Sequence, residues 1–166
     1  SNQPDKIMAM AALAHEIGYH YEGLSLFKGD MEAAVAHFEK QLTHFRQFYP
    51  VRTVCMHGSP ASRYDNRDLW KQYNYRDFGV IGEPYFDVDF EDVFYLTDTG
   101  RCWDGDKYSV RDKVKSSFTQ SYHSTADIIR AAQAGTLLPR MMITTHPQRW
   151  TDHRLEWLLE LVSQNV

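Results

Sequence analysis

The sequence predicts an α/β protein built on parallel strands. Two observations carry this. Short β-branched and aromatic segments alternate with amphipathic helical stretches, the signature of β/α units. Ionisable groups also recur where the predicted strands end: His20 and Glu22, then His57, Glu83, Asp98 and His146. In α/β proteins the C-terminal ends of parallel strands are where chemistry is placed.

The elements follow in order. Residues 4–14 form a helix, with Pro4 suited to its first turn and Ile7, Met10, Ala11 and Ala14 at helical spacing. Residues 15–20 form a strand. Alternation puts Glu16, Gly18, His20 and Glu22 on one face and His15, Ile17, Tyr19 and Tyr21 on the other. A small Gly among ionisable groups suits the crowded interior of a barrel. Residues 23–29 form a loop. Asp30 caps a long helix with an apolar stripe of Val35, Phe38, Leu42, Phe45 and Tyr49, and Pro50 stops it. His37 and His44 on that helix read as solvated histidines.

Residues 51–57 form the next strand, with Thr53, Cys55 and His57 facing one way and Val54 and Met56 the other. Gly58-Ser59-Pro60 turns the chain. A loop with Arg63, Asp65 and Asn66 leads to a short helix at 68–73. Residues 78–83 form a third strand closed by Pro84, and 93–97 a fourth. Residues 100–122 show no clean period and are long for a plain loop, so they cover a site or carry short helices. Ser124 or Thr125 caps a helix through Ala134, ended by Gly135. Residues 141–146 form the fifth strand. Asp152 caps a last helix whose Leu155, Leu158, Leu159 and Val162 face the core.

With 166 residues the chain is long enough for one domain with a real core. A net charge of -4 argues against a nucleic-acid partner, which calls for a basic patch. No run of about 18 apolar residues exists, so no membrane span is expected. No signal peptide is visible, and Ser1-Asn2 reads as a tag remnant. Cys55 and Cys102 lack CxxC spacing, which makes a reducing cytoplasm the default compartment.

His15-Glu16-Ile17-Gly18-Tyr19-His20 resembles the second motif of the polysaccharide deacetylases, the carbohydrate esterases with NodB homology. With Tyr21-Glu22 and Cys55-Met56-His57-Gly58-Ser59-Pro60 added, the chain is similar to a bacterial branch of that family, over most of its length. The resemblance implies a distorted (β/α) barrel of about seven or eight strands. Five are recognisable here, and the family's first motif, a strand ending in paired aspartates, has no counterpart. Residues 1–166 are therefore expected to be a single deacetylase-like barrel domain lacking its first two strands.

The resemblance also implies roles. His20 matches the first metal-binding histidine. The family's second histidine, four residues on, is replaced by Leu24. Glu22 can substitute as an oxygen ligand or pair with an arginine. His57 falls where the family has an Arg-Pro-Pro-Tyr turn, and is either the missing second imidazole ligand or a histidine bonded near the turn. Imidazole and carboxylate together suit zinc or a related divalent ion. Ile143-Thr144-Thr145-His146 is similar to the family's last motif and makes His146 the general acid. Arg149 and Trp150 would frame a sugar, with Arg63, Glu83, Asp98 and Arg101 completing the substrate-binding set. Asp87-Val88-Asp89-Phe90 resembles the acidic fourth motif or is surface carboxylate.

The implied activity is metal-dependent removal of an acetyl or other acyl group from an N-acylated sugar. The alternative is a carbohydrate-binding or scaffold domain that has lost the chemistry, favoured by Leu24 and the absent aspartate pair. His20, His57 and His146 are expected to converge on one cavity, with Glu22 and Asp98 on its rim. The chain alone is expected to be inactive and to self-associate through an open barrel edge. Other chemistries lack a motif: no Walker or dinucleotide loop, no H-E-x-x-H, and no G-x-S-x-G around Ser59, at which His57 is not expected to point.

Overall fold

The computed structural model describes residues 3–59, 61–99, 102–104, 113–147 and 151–164, and of residues 160–164 the backbone alone. The chain divides into two compact units, Ser1–Val88 and Asp89–Val166, each described by itself.

The first unit runs α1 (Pro4–Ala12), β1 (Tyr19–Tyr21), α2 (Gly23–Leu26), α3 (Met31–Phe45) and β2 (Val54–Met56). Two 3₁₀ segments, Asn66–Lys71 and Tyr75–Phe78, and the short α4 (Pro84–Asp87) complete it. Asp30 starts α3 by accepting from the Ala33 N–H at 3.0 Å, which satisfies a donor the helix leaves without a partner. The α3 stripe buries Ala34, Phe38 and Leu42. β1 and β2 pair in parallel, with Tyr19 opposite Val54, His20 opposite Cys55 and Tyr21 opposite Met56. Alternation then sorts the faces as expected. Tyr19, Tyr21, Val54 and Met56 are buried with the α3 stripe, while His20 and His57 are exposed. Phe38 is the hub, with the rings of Trp70, Phe78 and Tyr21 at 4.8, 5.5 and 5.8 Å.

The second unit holds β3 (Phe94–Thr97), α5 (Thr125–Gln133), β4 (Met141–Thr144) and α6 (Arg154–Gln164). β3 and β4 are again parallel, from Phe94 opposite Met141 to Thr97 opposite Thr144. Ser124 caps α5 in a reciprocal capping box with Asp127, and Gly135 follows it in the left-handed region at φ 66°. Among its described residues Phe90, Phe94, Leu96 and Thr97 are buried. Leu155, Leu158 and Leu159 of α6, expected against the core, are each at least half exposed.

The expected (β/α) barrel is overturned. Among the described residues the strands form two two-stranded parallel sheets, β1–β2 and β3–β4, and neither closes. The predicted strand at 78–83 is the break. Asn74 caps a 3₁₀ turn through its side chain, and Gly79 ends that turn at φ 69°. Turn chemistry therefore takes up residues 74–79. What remains is a single parallel bridge from Gly82 to Thr53, after which Pro84 opens α4. Gly18 likewise has no barrel interior to serve. It lets β1 approach β2, since a Cβ there would lie 3.1 Å from the Thr53 hydroxyl.

Candidate functional site

The parallel register sets the site in the first unit. The His57 N–H bonds the Tyr21 carbonyl at 2.8 Å, so Glu22 and His57 leave their strands side by side. His20 and His57 stand with ring centroids 5.2 Å apart, edge to face. Nδ1 of His20 lies 3.1 Å from the Cys55 carbonyl. A carbonyl only accepts, so Nδ1 carries the proton and Nε2 the lone pair. Nδ1 of His57 faces the Glu22 carboxylate at 3.2 Å and Ser59 Oγ at 2.9 Å, which fixes the same tautomer. Two imidazoles are thus oriented by backbone and carboxylate partners, the arrangement that holds metal-ligating histidines in place.

Ser25, Ser59 and Asn66 buttress this corner. The Ser25 N–H and hydroxyl donate to Asn66 Oδ1 at 2.9 and 3.0 Å, and the Ser25 hydroxyl lies 3.0 Å from Ser59 Oγ. The buried Asn66 amide donates to the His57 carbonyl at 2.7 Å. Ser59 is held at φ 36°, in the left-handed region that costs a residue with a Cβ. Contrary to expectation, His57 does contact Ser59. Glu22 and Ser59 meet the same ring nitrogen, however, whereas a serine relay needs them on opposite nitrogens. The three polar residues escape a sequence reading because their partners lie up to 41 positions away. The one local signal is Ser59 in the turn directly after a strand.

An open cleft of about 610 Å³ adjoins the corner, lined by Glu22, Ser25, Lys28, His57, Arg63 and Tyr64 among others. Arg63, expected at the substrate, is here, its guanidinium 4.8 Å above the Tyr64 ring. Tyr64 packs on Gly29, where an added Cβ would come within 2.4 Å of the ring and φ is 92°. Leu24, standing where the resemblance implies a histidine, is a core residue at 2% exposure.

Glu83, expected among the substrate contacts, has no exposed surface. Its carboxylate accepts from the Met56 N–H at 3.1 Å and the Tyr85 N–H at 2.7 Å, so it ties β2 to α4. Burial pushes its pKa up to about 7 against the lowering effect of these bonds and of Arg67. Burial, with Glu22 adding to it, pushes the Tyr19 phenol up to about 12. Asp87 is structural as well, accepting from the Tyr75 hydroxyl at 2.9 Å and the Glu83 N–H at 2.7 Å.

In the second unit Asp98 pairs with His146. One oxygen contacts Nδ1 and the other accepts the His146 N–H at 2.9 Å. The carboxylate makes Nδ1 the protonated nitrogen and leaves Nε2 for exchange. Asp98, expected to touch substrate, thus holds the expected general acid. His20, Glu22 and His57 come together in one unit, and His146 and Asp98 in the other. Arg101, Arg149 and Trp150 lie outside the described residues.

His20, Glu22 and His57 do not close into a three-donor set. Among the described residues, the set whose donor atoms all lie within 4.8 Å of one another is Cys102, Asp104 and His123. No described helix is long and apolar enough to cross a membrane. Compared with known proteins, the chain matches no family model, no curated protein and no solved structure.

Proposed function

We propose that this chain carries the cation-binding part of a hydrolase that removes an acyl group, in the first instance acetyl, from the nitrogen of an N-acylated sugar. The observation that supports it is the pair His20 and His57, adjacent on parallel strand ends and each steered through Nδ1 to leave Nε2 as the basic nitrogen. That donor chemistry fits zinc or a related divalent ion, with Glu22 either orienting His57 or moving in as an oxygen ligand. Such an ion would polarise the amide carbonyl. The adjoining cleft, with serine hydroxyls, Arg63 and Tyr64, suits a sugar. In the second unit His146 is held by Asp98 with Nε2 left to exchange a proton, the chemistry a general acid uses. Neither cysteine is in a disulfide, and we place the protein in the reducing cytoplasm.

The second reading, a carbohydrate-binding domain without chemistry, is favoured by the buried Leu24 and by the incomplete donor set at His20. Two experiments separate them. In zinc titration calorimetry His20→Ala removes one bound equivalent, while His37→Ala, on α3, removes none. Acetate release from acetylated chito-oligosaccharides that requires added cation and disappears in His146→Ala supports the hydrolase. Oligosaccharide binding with no acetate release from cation-saturated protein supports the binding domain.

A further inference from the structure

The second unit contains a donor cluster that the proposed hydrolase does not use. Cys102 Sγ, an Asp104 carboxylate oxygen and a ring nitrogen of His123 lie within 4.8 Å of one another. Asp104 sits between the other two, accepting from the Cys102 thiol and contacting His123 Nδ1 at 2.9 Å.

The backbone beneath the cluster is tied independently of these side chains. The Trp103 N–H bonds the His123 carbonyl at 3.1 Å, and Trp103 Nε1 bonds the Thr125 hydroxyl at 3.0 Å. Asp104 forms a parallel bridge with Thr97 at the end of β3, and Ser124 opens the capped helix α5 next to His123. Loop and helix start are thus held together before any ligand arrives, which lowers the ordering cost of binding.

We infer that Cys102, Asp104 and His123 form a binding site for a thiophilic divalent transition-metal ion, separate from the His20 and His57 pair. Sulfur, nitrogen and oxygen donors brought within reach of one ion are the donor set of tetrahedral zinc and cobalt, with a fourth position for water. Hard ions such as magnesium and calcium take oxygen ligands instead. Binding transfers the Cys102 thiol proton to solvent and forms bonds from the thiolate sulfur, a carboxylate oxygen and a ring nitrogen to the metal.

The test is cobalt(II) titration of the full chain, read by absorption. The sulfur-to-cobalt charge-transfer band reports thiolate ligation, which a site made of His20 and His57 cannot produce. The expected result is a saturable band that survives in His20→Ala and in Cys55→Ser and vanishes in Cys102→Ser. His123→Ala and Asp104→Asn should each weaken the binding by more than the roughly 10- to 100-fold that loss of an outer-shell partner alone costs. The absence of a band in the wild-type chain, or a band that persists in Cys102→Ser and vanishes in Cys55→Ser, overturns the assignment. Circular dichroism unchanged from wild type checks that each variant is folded.

Discussion

Glu83 is a carboxylate with no exposed surface, and the chain keeps it because two backbone N–H groups need an acceptor there. Burial still outweighs those bonds and lifts its pKa from 4.5 to about 7. An acid raised in the folded state stays protonated there after the unfolded chain has ionised. Its stabilising contribution is therefore full below the unfolded value and is lost as pH rises through the folded one. Stability should fall between pH 4.5 and about 7, by about 1.4 kcal/mol per pH unit from this group. Glu83→Gln removes the titration and keeps only one of the two acceptors. The expected outcome in urea denaturation is a flatter pH profile at a lower baseline. An unchanged slope would assign the dependence to another group.

Among elements, α3 decides whether β1 and β2 hold their register. Phe38 fills the space between the strands' buried tyrosine face and the Trp70 and Phe78 rings. Phe38→Ala should cost about 3–5 kcal/mol, seen as a lower denaturation midpoint with unchanged slope. The start of α3 and its apolar stripe were legible in the sequence from Asp30 and the spacing of Val35, Phe38 and Leu42, but it ends at Phe45, before the Tyr49 and Pro50 expected to close it. β2 lies within its expected span, and β1 was legible in part: the strand is Tyr19–Tyr21, so residues 15–18 of the expected strand fall outside it. The segment at 78–83 was not. Val80 and Ile81 read as strand, but Asn74 and Gly79 impose a turn, and a turn cap fixes backbone more firmly than two β-branched residues do. Asp98 on His146 was equally hidden, since only the β3–β4 register brings together residues 48 apart.

At the scale of the whole chain, the two sheets have edges that a closed barrel would not have. Among the described residues β1 pairs with β2 alone, and α1 exposes Met8, Met10 and Leu13. Unpaired strand edges beside apolar surface favour association. We expect sedimentation velocity to show a concentration-dependent dimer or larger species, against a single monomeric boundary at every concentration if the edges are covered.

In the proposed site His20 and His57 present their Nε2 atoms to one cation. X-ray absorption on the zinc-loaded Cys102→Ser chain tests it most directly, because that variant silences the sulfur site. The expected result is a sulfur-free shell at about 2.0–2.1 Å with the multiple scattering of two imidazoles, reduced to one or abolished in His57→Ala. Zinc retained without imidazole scattering, or no zinc retained at all, would contradict it.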